Sequence, residues 1–187
     1  MNKFDVMYSS SKTDWETPQA LFDKLNEEFS FNTDVCATTE NAKCEHFYSP
    51  EDDGLEQDWR GVCWMNPPHG RDISRWMKKA YEESLKGATV VCLTFARTDT
   101  KWWHEYAMKA AQIRFIKGRV RFEGADSSAP FPSVIIVFRP PIKHWITDYM
   151  PDCGVKASRI LTVRAWDWRN GDRSEDRAEE QKELKSW

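Results

Sequence analysis

The sequence predicts an α/β protein: a mostly parallel sheet with helices on both faces that finishes in an antiparallel hairpin. Three observations carry this. Residues 62–111 alternate strand-like and helix-like patterns, the signature of parallel strands joined by crossover helices. Residues 89–95 form an apolar run, as a central strand covered on both faces requires. Residues 112–122 and 133–138 are both strand-like and are joined by 123–132 without a helix, so they pair as a hairpin.

Taken in order, residues 1–13 are polar and read as a flexible arm. Thr17-Pro18 starts a helix over 18–29, with Thr at the cap and Pro in the first turn; Leu21, Phe22, Leu25 and Phe29 fall on one face of it. Residues 31–37 read as a strand, and 38–58 as a polar, acidic, irregular stretch with a short strand at 46–48. A strand at 62–65 follows, then the turn Asn66-Pro67-Pro68-His69. Next comes a helix over 72–86 that turns Ile73, Trp76, Met77, Ala80 and Leu85 inward and stops at Gly87. A helix over 98–111 carrying Trp102, Trp103, Tyr106 and Ala110 precedes the hairpin. The domain is expected to span 14–140. Residues 141–187 form an extension, partly disordered or helical, with a charged end.

Composition narrows the function classes. At 187 residues the chain suits one core. No apolar run is long enough to cross a membrane, and the N-terminus has no signal-peptide core, so a soluble cytoplasmic protein is expected. Five cysteines make an odd set without a CxxC pair, read as reduced thiols. Cys36, Cys44 and His46 lack a second pair at zinc spacing, so no metal is expected. A net charge of −3 does not mark a nucleic-acid binder, and any DNA contact must come from local basic patches.

The turn at 66–69 is the richest local signal. Consecutive prolines fix φ and remove two donors, leaving carbonyls free to accept. Placed at a strand's carboxyl end, where open α/β sheets bind ligands, the Asn66 oxygen and a Pro67 carbonyl suit a substrate NH2 group. The ring of His69 suits the flat face that carries such an amine. An ordinary strand-to-helix turn is the plain alternative.

Together with this turn, Asp14-Trp15-Glu16-Thr17-Pro18, Asp34-Val35-Cys36-Ala37, Asn41-Ala42-Lys43-Cys44, Asp53-Gly54-Leu55, Gln57-Asp58-Trp59, Arg97-Thr98-Asp99-Thr100 and Gly118-Arg119-Val120-Arg121-Phe122 resemble the phage-encoded Dam-type DNA N6-adenine methyltransferases. The resemblance covers roughly residues 14–138. It implies a methyltransferase-like, Rossmann-like fold, S-adenosyl-L-methionine as cofactor, and double-stranded DNA, with the target base flipped, as partner. GATC is one site it suggests. It further implies a monomer or weak dimer, in the host cytoplasm if phage-encoded.

Set on matching positions, the resemblance puts Thr17 and Pro18 at the methionine carboxylate, Asp34 at the methionine ammonium with Ala37 beside it, and Asp58 at the adenine amine, with Trp15 also binding the cofactor. Asp52, Asp53 or Glu45 are the candidates for the ribose. Asn66, Pro67, Pro68 and His69 are the catalytic set, Asn66 also facing the cofactor. Two departures stand out: residues 38–41 lack the superfamily's glycine-rich turn, and His69 replaces the usual larger aromatic ring. His69 either stacks on the base or accepts a proton. Candidate DNA contacts are Arg71 and Arg75, with Lys78 and Lys79 nearby, and Arg97. Lys117, Arg119 and Arg121 alternate on one expected strand, and Phe131 stands in a candidate clamp loop; a solvated face is the plain alternative for both basic patches. Rival readings are a cytosine N4 or protein glutamine methyltransferase, or a catalytically weak DNA-binding or anti-restriction protein of the same fold.

Overall fold

A computed structural model describes residues 15–125, 127–141 and 162–169. The expected arm at 1–13, most of the 141–187 extension and Cys153 lie outside the described residues.

Helix α1 (Gln19–Phe29) buries the expected face, Leu21, Phe22, Leu25 and Phe29. It leads through β1 (Thr33–Asp34) and β2 (His46–Phe47) to β3 (Val62–Met65), α2 (Ile73–Lys86) and β4 (Thr89–Phe95). A short helix α3 (Lys101–Glu105), a 3-10 turn (Ala107–Lys109), β5 (Gln112–Ile116), β6 (Ser133–Phe138) and β7 (Thr162–Trp166) complete the described chain. The sheet has seven strands in the order β2-β1-β3-β4-β6-β5-β7. β6 runs antiparallel to both its neighbours, β4 and β5, and every other pairing is parallel. This is an α/β methyltransferase-like sheet.

Period-two alternation sorts the core into two layers. Cys63, Met65, Val90, Cys92 and Ile136 point to the face covered by Trp76, Met77 and Ala80 of α2 and by Trp102 and Trp103 of α3. Trp64, Val91, Leu93, Phe95, Ile135 and Val137 point to the face covered by α1. All of β4 except Thr89 is buried, as its apolar composition requires.

Several expectations are corrected. Pro18, not Thr17, holds the N-cap position of α1, and no local side chain caps it. The cap comes from across the chain: the Gln19 N–H donates to Glu123 Oε1 at 2.6 Å. On α2, Leu85 is 44% exposed, while Glu83 and Ser84 are buried in its stead; Glu83 is held by Lys79 (2.9 Å) and Lys86 (2.8 Å). The expected helix over 98–111 is broken at Tyr106, whose backbone leaves the helical region. The strand expected over 112–122 ends at Ile116, because Gly118 adopts a left-handed φ of 78° and turns the chain. Lys117, Arg119 and Arg121 therefore do not share a strand face. The hairpin itself is present, from Gln112↔Val137 to Phe115↔Val134, closed by the long connection 117–132.

β7 has no counterpart in the sequence reading. It pairs in parallel with β5, from Gln112↔Thr162 to Ile116↔Trp166. Beside it Arg114, only 1% exposed, forks onto Glu28 of α1 and also donates to Gln112 Oε1. This ties the C-terminal half of α1 to the far side of the sheet.

Candidate functional site

β1 and β3 lie side by side, yet the chain leaves β1 toward β2 and leaves β3 toward β4 on the other side. The crevice at such a reversal, beyond the carboxyl ends of the strands, is where open α/β sheets bind ligands. A cavity of about 250 Å³ occupies it. Four segments build its wall: 15–17 before α1, 34–43 after β1, 48–54 after β2, and Trp64 through Pro68 at the end of β3, with Trp76 of α2 behind.

Asp34 anchors the first wall. Its carboxylate is 3% exposed and accepts from the backbone N–H of Lys43 (3.1 Å) and Cys36 (3.3 Å). Burial outweighs these bonds and pushes its pKa up to about 6. A buried carboxylate of this kind favours a cationic ligand. The chain closes the neighbouring turn without glycine: Asn41 Oδ1 accepts from the Thr38 N–H (2.7 Å), and the Ala42 N–H donates to the Thr38 carbonyl (3.0 Å). A side-chain-capped turn thus replaces the glycine-rich one.

Asp53 and Gly54 form the opposite wall. Asp53 takes a left-handed φ of 49°. A Cβ on Gly54 would stand 2.1 Å from the Val35 carbonyl oxygen, so only glycine lets this loop close on β1. Of the three ribose candidates only Asp53 lines the cavity, with Tyr48, Ser49 and Pro50 beside it. Asp52 is turned back onto Ser49, whose N–H and hydroxyl it accepts. Asp58 does not line the cavity. Its exposed carboxylate faces Arg60 and Lys86, each at 3.9 Å.

At the end of β3, the Asn66 Nδ2–H donates to the Trp15 carbonyl. Its Oδ1 is buried and has no partner. The Asn66 backbone N–H is directed at Cys36 Sγ, and the Pro68 carbonyl accepts from Gly70 (3.1 Å) while no backbone donor among the described residues reaches the Pro67 carbonyl. Four more enclosed polar atoms lack partners nearby in the fold: Trp15 Nε1, Thr17 Oγ1, His69 Nε2 and Ser133 Oγ. Buried polar groups are almost always paired, so the three orphans on residues that line the cavity, Asn66 Oδ1, Thr17 Oγ1 and Trp15 Nε1, mark a place where a polar ligand completes the hydrogen bonding. Asp34, Thr17 and the Asn66 oxygen together fit an amino-acid-bearing cofactor. Trp15, Thr17, Asp34, Ala37, Asn66, Pro67 and Pro68 all line the one cavity, while Pro18, Asp58 and His69 do not.

The described chain has its counterparts among known proteins. The family described as DNA N-6-adenine-methyltransferase (Dam) matches residues 6–155. The chain belongs to the Dam family. A DNA N-6-adenine-methyltransferase of Haemophilus phage HP1 is 31% identical over 141 residues, covering 70% of this chain and 81% of that protein. One of Escherichia phage T1 is 34% identical over 107 residues, covering 55% of this chain but only 44% of the T1 protein. A putative methyltransferase of Escherichia coli K12, YfdM, is 35% identical over 63 residues, 29% of this chain and 69% of that protein.

Beside the Dam-family turn stands an aromatic cluster that the sequence reading did not assemble. The His69 ring is 4.0 Å from that of Phe95, at the tip of β4, and 6.3 Å from Phe122; Trp15 is 5.4 Å from Phe122. Phe131 joins at 5.6 Å from Phe95, with the Arg97 guanidinium 4.9 Å above its ring. Burial of the His69 ring holds its pKa down to about 4, so the imidazole is neutral near pH 7.

The candidate DNA contacts separate into two groups. Arg71, Arg97 and Arg121 follow the carboxyl ends of β3, β4 and β5, which the parallel directions of these strands put on the rim that holds the cavity. Arg71 and Arg121 are exposed and have no ion partner among the described residues. The others are engaged: Arg75 with Asp72 (3.5 Å), Lys78 with Glu82 (3.7 Å), Lys117 with Asp167 (3.4 Å), and Arg119 with the Ala129 carbonyl (3.4 Å). Lys79 is drawn to Glu83, away from the rim. Among the described residues no helix is long and apolar enough to cross a membrane.

Proposed function

We propose that this chain transfers a methyl group from S-adenosyl-L-methionine to the N6 amine of adenine in double-stranded DNA. The observation that carries the reading is the unpartnered Asn66 oxygen, buried at the carboxyl end of β3 and facing the cavity that Asp34 anchors. The names of the phage relatives point to the same base and atom.

In this reading Asp34 accepts from the cofactor's ammonium, and the Thr17 hydroxyl meets its carboxylate. Of the ribose candidates Asp53 takes that part, with the wall at 48–50 beside it at the nucleoside end. The cofactor supplies a methyl group already activated on a sulfonium. Asn66 Oδ1 and the Pro67 carbonyl would accept a hydrogen bond from each N–H of the target amine, drawing its lone pair out of the ring toward the methyl; the methyl would leave its sulfur as the N–C bond forms, and the amine's surplus proton would pass to solvent. No covalent enzyme intermediate is needed. His69, neutral and wedged against Phe95, supplies a flat surface for the extruded base. Arg71, Arg97 and Arg121 hold phosphate along the rim. The chain acts on DNA in the host cytoplasm as a monomer or weak dimer.

The test is methylation of unmethylated plasmid with labelled S-adenosyl-L-methionine, followed by nucleoside analysis and restriction mapping, with GATC as the first site examined. N6-methyladenine is expected. N4-methylcytosine, label in protein, or no label at all would overturn the reading.

A further inference from the structure

Glu123 stands outside the cavity, yet it touches two of the four segments that build its wall, 15–17 and 34–43, and the start of α1. Its backbone N–H donates to the Glu16 carbonyl (3.0 Å), forming an isolated antiparallel bridge. One carboxylate oxygen accepts from the Gln19 N–H at the start of α1 (2.6 Å), and the other lies 3.6 Å from Lys43 Nζ. Lys43 also donates to Gln19 Oε1 (3.0 Å), and its side chain is only 9% exposed.

Two of these neighbours, Lys43 and Glu16, pass the contact inward. The backbone N–H of Lys43 is one of the two donors that hold Asp34. Next to Glu16, the Trp15 carbonyl orients the Asn66 amide, and Thr17 offers its orphaned hydroxyl. In the other direction Glu123 belongs to the connection 117–132, which carries Arg121 and Phe131 on the rim and packs Phe122 against Trp15.

We propose that Glu123 is a positioning residue through which the connection 117–132, when it grips DNA, sets the geometry of the cofactor pocket. The inference rests on the reading above, since it takes the rim as the DNA face and the cavity as the cofactor site. Its consequence is energetic coupling: DNA tightens cofactor binding and, by linkage, the cofactor tightens DNA binding. A residue that only stabilises the fold would lower melting temperature without changing this coupling.

The experiment titrates S-adenosyl-L-homocysteine, which keeps the ammonium and carboxylate but cannot transfer methyl, into wild type, E123Q and E123A. Each is measured by calorimetry alone and with a saturating unmethylated duplex. DNA is expected to tighten wild-type binding by about fivefold or more, the lower end of ordinary allosteric coupling, and to change E123A by less than about twofold. E123Q keeps an acceptor for the Gln19 N–H but loses the charge facing Lys43. It should fall between the two, and it carries the test if E123A does not fold. Equal coupling in wild type and the variants, or none in wild type, overturns the inference while leaving the proposed function intact. A wild type that binds neither ligand overturns both.

Discussion

The Asn66 amide is held by one end only: its Nδ2–H donates to the Trp15 carbonyl while its Oδ1, buried, accepts nothing. This fixes which atom faces the cavity, because an amide rotated by half a turn would set its oxygen against the Trp15 oxygen. Asn66→Ala is therefore expected to reduce single-turnover methylation by at least about a hundredfold, the scale of losing one positioned polar group in a transition state. Cofactor affinity should stay within a few fold. Rapid-quench rates beside calorimetric titration check both; a variant that turns over at the wild-type rate would remove Asn66 from the mechanism.

Asp34 should make cofactor binding pH-dependent. Its carboxyl titrates at about 6 in the free protein, and an ammonium binds only the ionised form. Affinity should be level above pH 7 and fall as pH drops below about 6, approaching tenfold per unit. Asp34→Ala should weaken binding by about 1.5–3 kcal/mol, the scale of a hydrogen bond to a charged group, and abolish that pH dependence. Titrations between pH 5 and 8 decide the matter.

His69 makes a contrasting prediction. With its pKa near 4, the ring is neutral from pH 5.5 to 8.5. Single-turnover rates at saturating cofactor and DNA should be flat across that range. His69→Tyr should retain activity, and His69→Ala should lose about 1–3 kcal/mol of stacking. A dead Tyr variant, with a wild-type rate that falls toward acid pH, would make the imidazole a proton acceptor.

The Arg114–Glu28 pair predicts a stability effect remote from the cavity. Glu28→Ala leaves the buried guanidinium its bond to Gln112 and the rings of Phe29 and Trp166 but no counter-charge from Glu28, and should destabilise the protein by about 2 kcal/mol, a figure kept modest because the Glu28 side chain is itself 44% exposed. Burial pushes the Glu28 carboxyl up, but the Arg114 bonds and the charges of Arg164 and Arg139 outweigh it and hold it below its ordinary 4.5. The stabilisation is thus present above that pH and is lost as pH falls through the lower folded value. Urea midpoints of wild type and variant should converge toward acid pH.

What the sequence disclosed followed from local pattern. β3 and β4 were legible because strands buried on both faces are continuous apolar runs, α2 because its 3.6-residue spacing survives burial, and the Asn-Pro-Pro turn because proline restricts the chain by itself. The cap on α1 was illegible: its donor and acceptor, Gln19 and Glu123, lie 104 residues apart. β7 was missed since an edge strand with Thr162, Val163 and Ala165 exposed has no inward-outward alternation to read. Arg119 and Arg121 misled, because alternation of charge persists through a turn that only the left-handed Gly118 discloses. The orphaned oxygen of Asn66 was anticipated from residue type, whereas the cluster of Trp15, Phe95 and Phe122 around His69 needed three separated segments to meet.

β6 sits between β4 and β5 although the chain reaches it after both. During synthesis β4 therefore waits with one edge open until residues 133–138 arrive to supply its six partners, and β5 waits with it. A long, apolar, unpaired strand is a template for pairing with other chains, and contacts between distant segments form slowly. Ribosome-bound chains stalled short of residue 138, with β4 and β5 both unpaired along this edge, are therefore the species expected to aggregate.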